Sequence, residues 1–176
     1  MIIIKNLLYV LIDFISFGRG QSCHVNGFTI KFPAKWFRYF ESDYEKENIE
    51  FLKKVCKPNM MVFDIGAHLG LMSMICAQSM AKKGRLYSFE PTPKTFEVLK
   101  KVIQLNKATE VVFPINKAIA KENTVIDFYL SSDEGSNSNS LVSKNHRDRI
   151  PVKINVTSLD LFVNEITETG QMSNFK

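Results

Sequence analysis

The sequence predicts an α/β fold with a doubly wound parallel sheet, and two short stretches are the basis of this prediction. Residues 61–65 form an apolar run with an acid near its end, and two spaced glycines, Gly66 and Gly70, follow it. A helical pattern then leads to a second apolar run at 85–89, which ends at Glu90. A strand, a glycine loop, a helix and another strand in this order are typical of the first half of a nucleotide-binding sheet.

The chain opens with a strongly apolar segment, residues 1–17. Its apolar residues recur at helical spacing, which predicts an amphipathic helix packed on the domain, with peripheral membrane contact as the alternative. Lys5, Asn6 and Asp13 interrupt the segment, so it falls short of the ~18 uninterrupted apolar residues that a membrane span needs. We therefore expect no stable membrane span. The residues at helical spacing are Leu7, Leu8, Leu11, Phe14 and Ile15.

A β-hairpin is predicted next. Residues 22–25 and 28–32 flank the Asn-Gly pair at 26–27, which supplies the positive φ angles of a type I′ turn. An aromatic group follows, and we expect it to cap the core, with a substrate lid as the alternative. We assign residues 1–42 to an N-terminal extension made of the helix and the hairpin, and residues 43–176 to the main domain. The aromatic group consists of Trp36, Phe37, Tyr39 and Phe40.

Three helical patterns come after the hairpin. The first begins at a capping box formed by Ser42 and Glu45, the second after Gly70, and the third at Thr92 and Pro93. Each has apolar residues at spacings of three or four, which predicts one buried face per helix. These faces consist of Ile49, Leu52 and Cys56 in the first helix, Leu69, Met72, Cys76 and Met80 in the second, and Phe96, Leu99 and Ile103 in the third.

Further strands are predicted toward the end of the sequence. Residues 111–115 form the third strand of the parallel sheet, and the alternating runs 125–130 and 150–156 are expected to pair as an added β-hairpin. The segment 131–149 between them is rich in Ser and Asn, which predicts a mobile loop. Ser158 is expected to cap a last short helix.

The loop between the first two sheet strands has the chemistry of an adenosine site. Gly66 and Gly70 lack a Cβ, so the backbone turns tightly and a ligand can approach it closely. The helix that begins near Leu69 directs free N–H groups and its positive dipole end at the same place, which suits a carboxylate or phosphate. Glu90 lies about 20 residues after Gly70, where an acid accepts hydrogen bonds from both ribose hydroxyls.

The same loop favours S-adenosylmethionine over a dinucleotide. A dinucleotide fingerprint reads G-x-G-x-x-G, and this loop has His68 where the middle glycine would be. Asp64 would repel a pyrophosphate but accepts a hydrogen bond from the ammonium of an amino-acid moiety. S-adenosylmethionine has that ammonium, a carboxylate and a ribose. An NAD-dependent oxidoreductase, which would use the same Glu90, is the alternative.

Three motifs occur along this part of the chain, namely Asp64-Ile65-Gly66-Ala67-His68-Leu69-Gly70, Phe89-Glu90-Pro91-Thr92-Pro93 and Asn116-Lys117-Ala118-Ile119, preceded by Tyr44 and by residues 50–54. Together they resemble the FkbM family of S-adenosylmethionine-dependent methyltransferases. The resemblance extends to Phe162. It implies a Rossmann-like class I methyltransferase fold and O-methylation of a sugar or secondary-metabolite hydroxyl.

The predicted cofactor contacts combine the loop chemistry with this resemblance. We expect Asp64 to hold the amino-acid end of the cofactor and Glu90 to hold the ribose. The resemblance places Asn116 and Ala118 in the adenine pocket. The remaining predicted contacts are Gly66, Ala67, His68 and Gly70, which allow close backbone approach, and Pro91. No general base is assigned.

The resemblance also predicts an incomplete sheet. In the FkbM family, the segment that resembles Leu159-Asp160 is followed by a strand of the type I-K-I-D-x-E-G and by three more strands, whereas this sequence ends at Lys176. We therefore expect a sheet truncated after its third core strand, an open apolar edge at residues 62–65, and weak cofactor binding. A non-catalytic module, forming an oligomer in which a partner chain completes that edge, is the alternative.

Charge and cysteine content narrow the choice of partners. The net charge of +5 comes from basic residues that are scattered singly or in lysine pairs. This pattern predicts a solvated basic surface, a small-molecule or glycan acceptor, and no nucleic-acid partner. Cys23, Cys56 and Cys76 have no C-x-x-C spacing, which predicts reduced thiols, no metal site and a cytoplasmic location.

Overall fold

The computed structural model describes residues 2–130 and 150–169, and these residues form five helices and eight strands. The segment predicted as a mobile loop, 131–149, lies outside the described residues. In chain order the elements are α1 (Ile2–Ile15), β1 (Gln21–Val25), β2 (Phe28–Phe32), α2 (Lys46–Val55), β3 (Met60–Ile65), α3 (Leu71–Ser79), β4 (Gly84–Phe89), α4 (Pro93–Leu105), β5 (Val112–Ile115), β6 (Ala118–Ile119), β7 (Thr124–Leu130), β8 (Ile150–Thr157) and α5 (Leu159–Glu168).

The central element is a parallel sheet with the order β3-β4-β5. β3 pairs with β4 from Met60↔Gly84 to Ile65↔Phe89, and β4 pairs with β5 in the same direction. Helix α3 joins the first two strands and α4 joins the next two. Because β3 and β4 end in register, the loops that follow them meet at one edge of the sheet. The predicted Rossmann-like α/β fold is confirmed.

Strand β3 lies at the edge of this sheet. In the part of the chain that the structure describes, its only strand partner is β4. Val62 and Phe63 are half-buried, and 54% of Ile65 is exposed. Helix α5 covers part of this apolar edge, since the Phe162 ring lies edge-on to the Phe63 ring at a centroid distance of 6.4 Å.

Two antiparallel pairings flank the parallel sheet. β1 and β2 form the predicted hairpin, with φ angles of +46° at Asn26 and +83° at Gly27 in its turn. β7 and β8 pair as predicted. The short strand β6 joins β8 in parallel, so this second unit is a three-stranded sheet with the order β6-β8-β7.

The parallel sheet separates two hydrophobic cores. Alternate residues of β4 face them, because Leu86 belongs to the core of α3 and α4, whereas Tyr87 packs with Phe162 of α5. The hairpin belongs to the first core through its inward side chains. The hairpin and the parallel sheet therefore share one core. The predicted boundary at residue 42, between the N-terminal extension and the main domain, stays a prediction. The inward hairpin residues are Cys23, Val25, Ile30 and Phe32.

Helix α1 forms as predicted, but the prediction that its apolar face packs on the domain is wrong. The apolar residues from Leu7 to Ile15 that were expected to face the domain are between 50% and 78% exposed. The helix is attached instead through Asp13, whose Oδ1 accepts a hydrogen bond from the Ala34 N–H at 3.0 Å. This polar attachment turns the apolar side outward. Among the described residues, no helix has the length and apolar character that crossing a membrane requires.

The capping box predicted at the start of α2 is absent. The residue before the helix is Glu45, which has a left-handed conformation with φ +44° and makes no side-chain capping bond. Its Oε2 accepts a hydrogen bond from Asn48 Nδ2 at 3.0 Å. Because Glu45 is not helical, the helix cannot extend back toward Ser42.

The start of β4 gives a stability prediction. Gly84 has φ +122°, and a Cβ added there would contact the backbone carbonyl oxygen of Met60 on β3. Gly84→Ala should lower the free energy of unfolding by about 2–4 kcal/mol, because it combines backbone strain with a clash between paired strands. Urea denaturation measures the loss.

Gly18→Ala is the matched control for this substitution. Gly18 also has a positive φ, +66°, but no atom lies within 4 Å of its added Cβ. This change should cost about 1 kcal/mol from strain alone. Equal losses in the two variants would show that the close approach of β3 to β4 does not limit the stability of the sheet.

Candidate functional site

A cavity of about 420 Å³ opens where the loops after β3 and β4 meet. It lies at the carboxyl ends of parallel strands, the edge at which ligands bind in open α/β sheets. Its walls come from three segments, within residues 40–45, 64–72 and 90–92. Six of the predicted cofactor contacts line it, namely Asp64, Gly66, Ala67, His68, Glu90 and Pro91.

Asp64, the next-to-last residue of β3, is held by a buried chain of hydroxyls. Its Oδ2 accepts a hydrogen bond from the Ser73 hydroxyl at 2.6 Å, and the Ser73 and Ser88 hydroxyls lie 2.8 Å apart. Both serines are fully buried. Burial raises the pKa of the Asp64 carboxyl, and the hydrogen bond from Ser73 opposes that rise. The carboxylate is therefore fixed in orientation while it lines the cavity.

Glu90 joins the two loops that border the cavity. Its Oε2 accepts a hydrogen bond from the His68 backbone N–H at 2.9 Å, and its Oε1 accepts one from the Thr92 N–H at 2.8 Å. Burial raises the pKa of the Glu90 carboxyl, the hydrogen bonds from Thr92 and His68 lower it, and the charge of Asp64 raises it. Two acids that interact in one cavity favour a ligand with positive charge or hydroxyl donors.

The backbone amides of the glycine loop donate within the protein. The N–H groups of Gly66 and Ala67 both donate to the Phe89 carbonyl at 2.9 Å, and the Gly70 N–H donates to the Ala67 carbonyl at 2.8 Å. The His68 N–H is bound to Glu90. A dinucleotide pyrophosphate needs such amides as donors, so the loop geometry agrees with the predicted preference against NAD.

Three predicted contacts lie outside the cavity wall. Gly70 is packed against α4, where an added Cβ would lie 2.6 Å from Leu99 Cδ1. The Asn116 amide donates to the backbone carbonyls of Glu90 and Pro91 at 2.8 and 3.2 Å, so it supports the second loop from behind. Ala118 is buried in the sheet formed by β6, β8 and β7. Direct contact of these residues with a cofactor stays a prediction.

Ser73 and Ser88 are site residues that the sequence analysis did not identify. Ser73 lies on the buried part of α3, and Ser88 is on the same side of β4 as Leu86. Each serine is a polar residue on an otherwise apolar inward face. This signal could have identified both as candidate site residues, because a buried hydroxyl needs a hydrogen-bond partner. Phe40, from the aromatic group predicted to cap the core, and Thr92, from the predicted start of the third helix, also line the cavity.

The family whose model matches this chain is described as the TRM5/TYW2 methyltransferase domain, and the match covers residues 25–134. This range is more than half of the sequence. Among curated proteins, none matches significantly.

Several solved structures are similar to part of the chain. TYW2 of Pyrococcus horikoshii in complex with MeSAdo is 26% identical over 56% of this chain and 36% of its own, with a TM-score of 0.45. TYW2 of M. jannaschii in complex with AdoMet is 25% identical over 51% and 39%, with a TM-score of 0.40. The complex of aTrm5 and tRNALeu is 23% identical over 62% and 39%, with a TM-score of 0.43. The chain matches less than half the length of each.

The family match corrects two expectations. The family is TRM5/TYW2 and not FkbM, although the class I methyltransferase fold and the S-adenosylmethionine cofactor are confirmed. The expectation of a small-molecule or glycan acceptor without nucleic acid is wrong, because the family includes Trm5, and aTrm5 is solved with tRNALeu. The motifs misled because they describe cofactor chemistry, which does not determine the acceptor. Scattered lysines and arginines do not exclude a nucleic-acid partner either.

Removal of the Ser73 hydroxyl should destabilise the fold in a pH-dependent way. A raised folded-state pKa means that Asp64 favours folding most in acid and loses that contribution as the pH rises through its folded pKa. Above that pKa, Ser73→Ala should lower the free energy of unfolding by about 1.5–3 kcal/mol, because a buried carboxylate loses its donor. The loss should shrink as Asp64 becomes protonated. Urea denaturation at a series of pH values from acidic to alkaline measures the loss of stability and its dependence on pH.

Ser79→Ala is the matched control in the same helix. The Ser79 hydroxyl is buried and has no hydrogen-bond partner among the described residues. Its removal should leave stability unchanged or raise it slightly at every pH. A loss for Ser73→Ala that does not vary with pH would contradict the link to Asp64.

Proposed function

Because the chain belongs to the TRM5/TYW2 methyltransferase domain family, we propose that it transfers a methyl group from S-adenosylmethionine to tRNA. The main supporting observation is the pair of acids, Asp64 and Glu90, in one cavity at the carboxyl edge of the sheet. The acceptor is proposed from the family, in which aTrm5 is solved with tRNALeu.

The cavity residues fit the groups of the cofactor. Asp64 accepts a hydrogen bond from the cofactor ammonium, and Glu90 accepts from the ribose hydroxyls. Each carboxylate oxygen has two acceptor positions, so Glu90 can bind the ribose while it keeps its bonds to His68 and Thr92. The apolar part of the nucleoside packs on the apolar wall, which includes Phe40, Leu71 and Met72. The predicted contacts Gly66, Ala67 and Pro91 complete this part of the wall.

The contribution of the protein is orientation and electrostatics. S-adenosylmethionine supplies a methyl group that is already activated on a sulfonium. The two acids give the cavity a negative potential that favours such a cation. The bonds of Gly66 and Ala67 to the Phe89 carbonyl, together with those of Glu90, hold the two loops in a fixed position relative to each other. A fixed cofactor and a docked acceptor give the near-attack geometry on which this class of transfer depends.

Basic residues lie next to cavity-lining residues along the chain, and they suit an acceptor with a phosphate backbone. Arg38 lies two positions before the lining residue Phe40, Lys46 directly follows Glu45, and Lys94 lies two positions after Thr92. All three side chains are exposed. Phosphate contacts dominate the affinity of nucleic-acid complexes, so these cations are our candidates for positioning the tRNA.

The cofactor assignment predicts the effect of changing either acid. Asp64→Asn and Glu90→Ala should each weaken S-adenosylmethionine binding by about 10- to 150-fold, which corresponds to the loss of a charged hydrogen bond of about 1.5–3 kcal/mol. Isothermal titration calorimetry measures the affinity, and NAD at equal concentration should give no binding. Circular dichroism checks the fold, because Glu90 also holds two loops.

Asp160→Asn is the control, since Asp160 is an exposed acid in the first turn of α5 and does not line the cavity. It should bind S-adenosylmethionine like the original protein. Unchanged affinity in both cavity variants would show that the acids do not hold the cofactor.

If tRNA is the acceptor, removal of positive charge near the cavity should weaken tRNA binding more than removal of the same charge elsewhere. Replacing Arg38, Lys46 and Lys94 together by Gln should weaken tRNA binding at least tenfold and make the slope of log affinity against log salt shallower by about 2, since about 0.7–0.9 is lost per phosphate contact. Transfer of labelled methyl groups from S-adenosylmethionine into tRNA should decrease in parallel with the affinity for tRNA. Filter binding across a salt series measures the affinity.

A second triple variant, Lys57→Gln with Lys83→Gln and Lys107→Gln, removes the same charge at the amino ends of β3, β4 and β5. It should keep most of the tRNA affinity. Equal weakening in the two triple variants would mean that only net charge matters. Intact cofactor binding without any tRNA binding would reject the acceptor and leave the cofactor assignment standing.

A further inference from the structure

Helix α1 presents a continuous apolar face to solvent. Its exposed residues are Leu7, Leu8, Val10, Leu11, Phe14 and Ile15, with exposed fractions between 50% and 78%. At about 100° per residue, these six positions fill one arc of about 160° without a polar residue between them. Phe17, two residues after the end of the helix, is 86% exposed.

The opposite side of α1 is the one attached to the domain. Tyr9, Ile12, Asp13 and Ser16 are half-buried there, and Asp13 accepts the Ala34 N–H at 3.0 Å. This is the reverse of an ordinary surface helix, which buries its apolar stripe and exposes its polar side. A contiguous exposed apolar face of this kind marks an interaction surface.

The residues at the margin of this face indicate which surface it meets. The Arg19 guanidinium lies over the exposed Phe17 ring at 5.9 Å, and the Lys35 ammonium lies over the Trp36 ring at 5.0 Å. Lys35 directly follows Ala34, the attachment point of α1, so both cations are near the helix in space. Cations and amphipathic aromatic rings beside an apolar helical face match the boundary of an anionic lipid surface.

We infer that α1 lies in the plane of an anionic phospholipid bilayer and docks the protein on it. One side of α1 is attached to the domain through Asp13 and the opposite side is apolar and exposed, so the helix meets the bilayer with its axis in the plane of the interface. A second copy of the chain is a poorer partner, because it would bring the same cations together. This inference is independent of the proposed function, since no α1 residue lines the cavity.

Vesicle cosedimentation with the full chain tests this inference. The protein should sediment with vesicles of phosphatidylcholine and phosphatidylglycerol and much less with phosphatidylcholine alone. Leu11→Asp and Phe14→Asp should each reduce the bound fraction at least fivefold, and Arg19→Gln with Lys35→Gln should remove most of the preference for phosphatidylglycerol. S-adenosylmethionine binding should stay unchanged in all of them.

Val125→Asp is the matched control, because Val125 is a 56% exposed apolar residue on β7 and not part of the apolar face of α1. It should sediment with vesicles like the original protein. Absence of sedimentation with anionic vesicles, or an equal loss in Val125→Asp, would overturn the inference. So would a dimer, detected by light scattering, that Phe14→Asp abolishes while vesicles do not bind.

Discussion

The Glu90 carboxylate is the contact on which the candidate site depends. It accepts one backbone N–H from His68 in the loop after β3 and one from Thr92 in the loop after β4. The Phe89 carbonyl adds two bonds from Gly66 and Ala67. Together these bonds fold the first loop onto the end of the second strand, and the cavity is the space that remains between them. Without the carboxylate, the backbone N–H groups of His68 and Thr92 would both lose their acceptor, and the two loops would no longer be held in position.

The site contains two acids, Asp64 and Glu90, whose burial is unfavourable for the charged carboxylates. Burial raises the pKa of both Asp64 and Glu90, and the charge of Asp64 adds to the effect on Glu90. The Ser73 hydroxyl and the loop amides offset part of this cost by donating to the carboxylate oxygens, and the Ser88 hydroxyl contacts that of Ser73. Acids that are kept buried, oriented and close together are typical of a ligand site, because a cationic or hydroxyl-bearing ligand supplies the missing compensation.

The rest of the fold keeps the two strand ends aligned. β4 contributes residues alternately to the two cores, so α3 and α4 on one side and α5 on the other hold the strand that directly precedes Glu90. The hairpin adds its inward side chains to the first core. Asp13 of α1 accepts a hydrogen bond from the Ala34 N–H, just after that hairpin, and this bond lies on the side of α1 opposite its apolar face. The site and the outward helix face are therefore properties of one packed unit with separate surfaces.

The sequence by itself determined the elements whose signals are local. Apolar runs, period-two alternation and helical spacing predicted the strands, the hairpin and the helices, since each of these signals lies within a few positions of chain. The residue types of Asp64, Gly66 and Glu90, at the ends of two successive apolar runs, predicted the cofactor. Tertiary structure alone decided the partners of those groups. Ser73 reaches Asp64 across nine positions and the His68 amide reaches Glu90 across twenty-two, and neither pairing follows from spacing. The outward face of α1 was likewise decided by a contact between Asp13 and Ala34, because hydrophobic periodicity defines a face and leaves its direction to packing.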